Sequence, residues 1–122
     1  MSEQKILIIL KGVKGQVRVK ALLDSGASVS VVSKSIASRI GMGNYGSGDG
    51  FDIQGKNVKG INSVARVGVA GGWIASDFVI LPVVPDGVIL GVDFIQKADL
   101  VIDWKRETVD IPKIYKRKRF RI

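Results

Sequence analysis

The stretch Ala21-Leu-Leu-Asp-Ser-Gly-Ala-Ser-Val-Ser-Val-Val32 decides what kind of fold this chain adopts. An apolar run, Ala21-Leu22-Leu23, stops at Asp24-Ser25-Gly26, three residue types that favour a turn. Apolar residues then resume at Val29, Val31 and Val32. A carboxylate held between two such runs is expected to be partly removed from water, which disfavours its ionised form. Two of them brought together would not both ionise, because like charges at close range repel, and the pair would share one proton. One carboxylate then takes a proton from an attacking water while the other donates to the developing oxyanion. Asp-Ser-Gly is also an ordinary turn, and that plain structural reading stands beside the catalytic one.

Outward from this stretch, Val17, Val19 and Ala21 alternate with Arg18 and Lys20, the period of a half-buried strand. Lys5-Ile-Leu-Ile-Ile-Leu10 is a second β-rich run, and Lys11-Gly-Val-Lys-Gly15 between the two predicts a hairpin. On the other side, Ala27–Ser33 is expected as a short strand. Ser33–Ile40 has a serine cap, apolar Ile36, Ala37 and Ile40, and Gly41 as a stop, so about two turns of helix are predicted. From Gly41 to Gly60 glycine recurs at 41, 43, 46, 48, 50, 55 and 60, and Asp49 and Asp52 lie among them. Such a segment is expected to pack little and to be mobile.

Beyond it, Ser63–Val69 and Trp73–Leu81 flank Gly71-Gly72 as another hairpin, and Pro82 and Pro85-Asp86-Gly87 mark a turn. Val88–Gly91 reads as core, and Val92–Ala98 as a short helix with Asp93 near its N-terminus. Leu100–Trp104 and Thr108–Ile111 form a last hairpin around Lys105-Arg-Glu107. There is no solenoid-type repeat. The expected fold is mostly β, with many short strands and two small helices, as a compact barrel or sandwich.

The chain of 122 residues has room for one core. No apolar run approaches the roughly 20 residues that span a bilayer. The short run Ile6–Leu10 leads into Lys11 and Lys14 without a cleavage site, so it does not read as a signal peptide. A soluble, cytoplasmic protein without membrane contact is expected. Cysteine and histidine are both absent, which excludes disulfides, a thiol nucleophile, cysteine- or histidine-bound zinc and a Ser-His-Asp triad. Acid–base work falls to the 11 carboxylates, the lysines or the tyrosines, and neither cofactor nor metal is expected.

Most of the other acids have structural explanations. Asp49 and Asp86 precede glycine and suit turns, Asp93 suits a helix start, and Asp99 and Asp103 flank Leu100–Ile102 as solvent-facing or structural residues. Trp73 and Trp104 read as core or edge aromatics. The net charge of +8 is uneven, since Lys113, Lys116, Arg117, Lys118, Arg119 and Arg121 crowd the last ten residues and leave the body near +2. Residues 1–112 are thus expected as the domain and 113–122 as a basic tail. That tail has three readings: a solvated extension, a terminal strand at a dimer interface, or a salt-sensitive nucleic-acid contact.

Ala21–Val32 resembles the catalytic loop of retropepsin-like aspartic proteases, whose pattern is two apolar residues, Asp, Ser or Thr, Gly and Ala. The second motif of that family, two apolar residues and a glycine followed by a helix, is matched by Ile89-Leu90-Gly91 with Val92-Asp-Phe-Ile95. The two motifs lie at the separation of a single-lobed member, and the resemblance covers about residues 5 to 111.

It implies a closed acid-protease barrel acting as a homodimer on a peptide or protein substrate, with Asp24 of each chain as catalytic acid and base. Ser25 would hydrogen-bond across the dimer axis, and Gly26 would let substrate backbone approach. Ala27 and Ser28 would bind substrate together with Gly55, Lys56, Asn57 and Val58 of a flap built from Asp52–Gly60. The same glycine-rich stretch is equally read as a plain flexible loop. Two departures set the chain apart from viral members. Ser28, Val29 and Ser30 stand where an acid usually follows the loop, and Val92 stands where an arginine usually follows the second glycine. The rival reading is a retropepsin-like dimerisation or peptide-binding module with weak or no turnover.

Overall fold

Alternation along the first two strands builds the wall of a barrel. In the computed structural model, which describes residues 4–51 and 55–116, the elements follow in the order β1 (Gln4–Lys11), β2 (Gln16–Leu23), β3 (Val31–Ser33), α1 (Lys34–Ile40), β4 (Ser47–Phe51), β5 (Asn57–Val69), β6 (Gly72–Leu81), β7 (Val88–Leu90), α2 (Val92–Lys97), β8 (Val101–Asp103) and β9 (Thr108–Asp110). β1 and β2 form the predicted antiparallel hairpin, with Ile8 opposite Val19 and Leu10 opposite Val17 on the inner side. Leu7 faces Lys20 and Ile9 faces Arg18 on the outer side. Asp52, Ile53 and Gln54 of the glycine-rich stretch and the tail beyond Lys116 lie outside the described residues.

Closure comes from β1, which is paired along both edges. Ile9, Leu10 and Lys11 register antiparallel with Gly68, Val67 and Arg66 of β5. From β5 the circuit passes to β6 antiparallel, to β3 parallel, to β7 antiparallel and back to β2 parallel. The six strands β1-β2-β7-β3-β6-β5 form a closed barrel, each paired along part of both its edges. The fold is therefore mostly β with two short helices, as the sequence predicts. Ile8, Leu10, Val32, Ile40, Val67, Val88, Leu90 and Phe94 are fully buried at its centre.

Three local expectations change. Only Val31–Ser33 of the run expected as a strand from Ala27 joins the ladder, because the backbone before it is bonded to the second motif instead. The β5–β6 turn is Ala70-Gly71, with φ of 48° and 82°. Both central residues of such a two-residue hairpin turn need positive φ, and Gly72 becomes the first residue of β6. The glycine-rich segment is also not loosely packed throughout. β4 pairs with β5 from Ser47–Ile61 to Phe51–Asn57, and Gly48 and Gly50 are buried. A Cβ at Gly50 would sit 2.8 Å from the Leu81 side chain, so these glycines serve close packing.

α1 matches its prediction. The Ser33 hydroxyl accepts from the Ile36 N–H, and Gly41 ends the helix in the left-handed region. β8 and β9 form a separate two-stranded sheet whose Ile102 and Val109 rest on the core. The chain then makes a 3₁₀ turn at Lys113–Tyr115. The Tyr115 hydroxyl donates to the Lys97 carbonyl at 2.8 Å, and Lys116 forms an antiparallel bridge to Gly72. The tail thus begins alongside β6 of its own barrel. There the Lys116 ammonium, 3.0 Å from Asp110, holds the Asp110 carboxyl below its ordinary value, helped by the Ile111 N–H.

Leu10 sits where β1 meets both β2 and β5, so Leu10→Ala is expected to lower unfolding free energy by about 2–5 kcal/mol in a denaturant titration. Leu7→Ala, on the outer face of the same strand, is expected to stay within about 0.5 kcal/mol. Equal losses would contradict the assignment of Leu10 as the closure residue.

Candidate active site

The two sequence motifs meet because β2 and β7 run parallel and side by side, Leu22 level with Ile89 and Leu23 with Leu90. Asp24 therefore leaves the end of β2 beside Gly91. Its N–H donates to the Leu90 carbonyl at 3.0 Å, and one of its carboxylate oxygens, Oδ1, accepts the Gly26 N–H at 2.9 Å. The Ala27 N–H donates to the Asp24 carbonyl at 3.1 Å, and the Ala27 carbonyl accepts the Val92 N–H at 2.8 Å. The turn expected at Asp24-Ser25-Gly26 is thus bolted at both ends to the second motif. Asp24 is half-buried, Ser25, Gly26 and Ser28 are exposed, and Ala27 is partly covered.

A second strap was not visible in the sequence. Ser30 is fully buried; its hydroxyl accepts the Gly91 N–H at 3.0 Å and donates to Asp93 Oδ1 at 2.7 Å. The Ser30 N–H donates to Asp93 Oδ2 at 3.1 Å, and the Phe94 N–H donates to Asp93 Oδ1 at 2.8 Å. Asp93 does stand at the start of α2, as expected, but it also ties the loop's far end to that helix. Charge-assisted hydrogen bonds of this kind are stronger than neutral ones. Gly91 must be small here: a Cβ would come within 2.7 Å of both the Ala27 and Val29 carbonyl oxygens. Nothing local signals the Ser30–Asp93 pair, because the partners are 63 residues apart and serine and aspartate are each common near turns and helix starts.

Around this loop lies a small apolar cluster. Val31, Val79, Leu81 and Val84 are buried, and Val29, Val58 and Ile89 pack against them half-exposed. Of the residues expected to bind substrate, the structure brings Val58 into the apolar group that Val29 and Ile89 also join. Gly55, Lys56 and Asn57 lie at the exposed end of the β4–β5 hairpin. A cavity of about 450 Å³ lies to one side, lined by Ser30, Asp93, Tyr45, Asn62 and Asp77 among others, and Asp24 is not part of its wall. Among the described residues no three acidic side chains converge as a metal site, and no helix is long and apolar enough to cross a membrane.

A six-stranded barrel with an Asp-Ser-Gly loop strapped to an Ile-Leu-Gly motif is the architecture of a retropepsin-like aspartic protease. Solved structures agree on the fold. The retroviral protease-like domain of Ddi1 from Leishmania major superposes with a TM-score of 0.68 at 23% identity, over 93% of this chain and 90% of that one. EIAV protease, solved with the inhibitor HBY-793, gives 0.64 at 20% identity over 79% and 88%. A retropepsin-like aspartic protease from Rickettsia conorii gives 0.54 at 19% identity over 88% and 89%. No curated protein matches the chain by sequence. The chain belongs to the gag-polyprotein putative aspartyl protease family, whose sequence pattern matches residues 11–97.

Ser30→Ala removes the partner of the buried Gly91 N–H and one donor to Asp93, and is expected to lower stability by about 1–3 kcal/mol. Amide exchange in residues 24–30 is expected to accelerate with it, while Ser30→Thr, which keeps the hydroxyl, retains most of the protection. Unchanged exchange in Ser30→Ala would show that the strap does not hold the loop.

Proposed function

We propose that this chain is one half of an aspartic endopeptidase, completed by a second copy that brings its own Asp24 to the two-fold axis. The observation that carries this reading is the presentation of Asp24. Its carboxylate is half-buried on a loop fixed at both ends, and it stands outside the wall of the cavity beside Ser30 and Asp93. Each chain has one Asp-Ser-Gly element, and the chemistry needs two carboxylates. An isologous dimer supplies the second from the same surface of a partner.

With two Asp24 side chains facing each other, one proton is shared between them. The unprotonated carboxylate accepts a proton from water as the water oxygen bonds to the scissile carbonyl carbon. The protonated one donates to the carbonyl oxygen, giving a neutral tetrahedral diol. Transfer of a proton to the amide nitrogen then lets the C–N bond break, releasing a carboxylic acid and an amine. In this scheme Ser25 braces the two loops across the axis, and Gly26, Ala27 and Ser28 line the path of substrate backbone. The β4–β5 hairpin, with Gly55, Lys56, Asn57 and Val58, closes over the peptide as a flap. The apolar group of Val29, Val58, Leu81, Val84 and Ile89 favours aliphatic or aromatic substrate side chains beside the cleaved bond. We take residues 1–112 as the protease domain and 113–122 as its basic extension. We also place the protein in the cytoplasm, since a chain without cysteine draws no benefit from an oxidising compartment.

Cleavage of a peptide library across acid to neutral pH is expected for the protein and absent for Asp24→Asn, with both sedimenting as dimers. The drop in kcat is expected to be at least about 10³-fold, the scale of losing an essential acid–base group. An intact dimer that cleaves nothing, or an Asp24→Asn variant that still cleaves, would sink the peptidase reading, the former in favour of a binding module.

A further inference from the structure

We propose that the outer face formed by β2, β1, β5 and β6 is a docking surface for single-stranded nucleic acid. Barrel closure gathers cations there that are scattered in sequence. Arg18 and Lys20 project from β2 opposite Ile9 and Leu7 of β1. On the next strand pair Lys11 stands directly opposite Arg66, and Gly68, level with Ile9, leads to Trp73. All four cations are exposed, and none has a carboxylate partner among the described residues. Lys5, on the same face, is paired with Asp86 at 2.9 Å. The nearest acid on this face, Asp77, lies one step beyond Ala75, the residue opposite Arg66. The Arg66 guanidinium turns instead over the Trp73 ring, 5.4 Å from its centre.

Like charges directly opposite each other on neighbouring strands are destabilising, so the Lys11–Arg66 pair works against the fold unless an anion lies over it. Cations two residues apart on one strand are about 7 Å apart, and on adjacent strands about 5 Å. That spacing gives a flat grid of phosphate-sized contacts. Between them lie Leu7, 54% exposed, Ile9 and the Trp73 ring, apolar surface on which unpaired bases can stack. Single-strand binders combine these two features, a cationic track and stacking platforms, and a sheet face is a known platform for them. A duplex hides its base faces and would leave the apolar part uncovered. Lys116 is bridged to Gly72, the residue next to Trp73.

The test is fluorescence anisotropy with a labelled 20-nucleotide oligouridylate between 50 and 200 mM KCl. Four phosphate contacts predict a loss of about 50-fold in affinity over that range, from a slope near −0.7 per phosphate. Lys11→Gln/Arg18→Gln/Lys20→Gln is expected to weaken binding about 100-fold at 0.1 M salt and to flatten the slope by about 2. Its circular dichroism should be unchanged and its melting temperature no lower, since the three side chains are exposed and Lys11→Gln relieves the repulsion with Arg66. In Lys118→Gln/Arg119→Gln/Arg121→Gln the face is intact, and face-dependent binding should persist. The proposal is overturned by three outcomes: no binding by the unaltered protein at 50 mM salt; binding lost in the tail variant alone; or face-dependent binding to phosphatidylserine vesicles without binding to the oligonucleotide. Peptide cleavage is not read in this test, so failure of the peptidase reading leaves it intact.

Discussion

Everything at the site depends on the parallel contact between β2 and β7. Each is an apolar strand end, and their pairing covers Leu23 and Leu90 while placing Asp24 and Gly91 abreast. From there the backbone has little freedom. Asp24 and Ala27 are bonded to the residues on either side of Gly91, and Ser30 is bonded to Gly91 itself. In the proposed dimer a carboxylate that meets its symmetry mate at hydrogen-bond range cannot sit on a loose turn, because misplacement by a single ångström costs reaction rate steeply. The strap from Ser30 to Asp93 stiffens the loop without occupying the exposed side of Asp24. It does so with a carboxylate whose acceptor capacity is met by three donors, an arrangement that avoids the penalty of a half-satisfied buried group.

The barrel gives that contact its rigidity. Inside, the large aliphatic side chains pack around Phe94 and Leu10. Val29 of the Asp24 loop and Val58 of the β4–β5 arm meet in the small apolar cluster. The outer side of β2, β1 and β5 carries exposed cations. A body whose charges nearly cancel in sum can still be strongly polar in space, and here Lys11, Arg18, Lys20 and Arg66 gather on one face.

Much of this is legible in the chain. The hairpins and α1 follow from alternation, capping and turn residues, and the two motifs are found by their resemblance to the retropepsin-like pattern. What escapes is whatever depends on which strands become neighbours. Ala27–Val29 has strand-like composition, yet the Ala27 carbonyl is taken by Val92 and the Ala27 and Val29 carbonyls lie close against Gly91, so it stays a loop. Gly48 and Gly50 look like markers of disorder and prove to be points of close packing against Asn62 and Leu81. Ser30 and Asp93 are each unremarkable until the fold joins them. Arg66 is one arginine in an ordinary strand until β5 closes onto β1 and sets it opposite Lys11.

The most direct measurement of the central claim is a crystal structure of the protein with a peptide whose scissile carbonyl is replaced by a secondary hydroxyl. Two chains are expected about one peptide, with the hydroxyl hydrogen-bonded to two Asp24 carboxylates, one from each chain. A peptide bound to a single chain, or a dimer in which the two Asp24 side chains lie too far apart to share that hydroxyl, would contradict it.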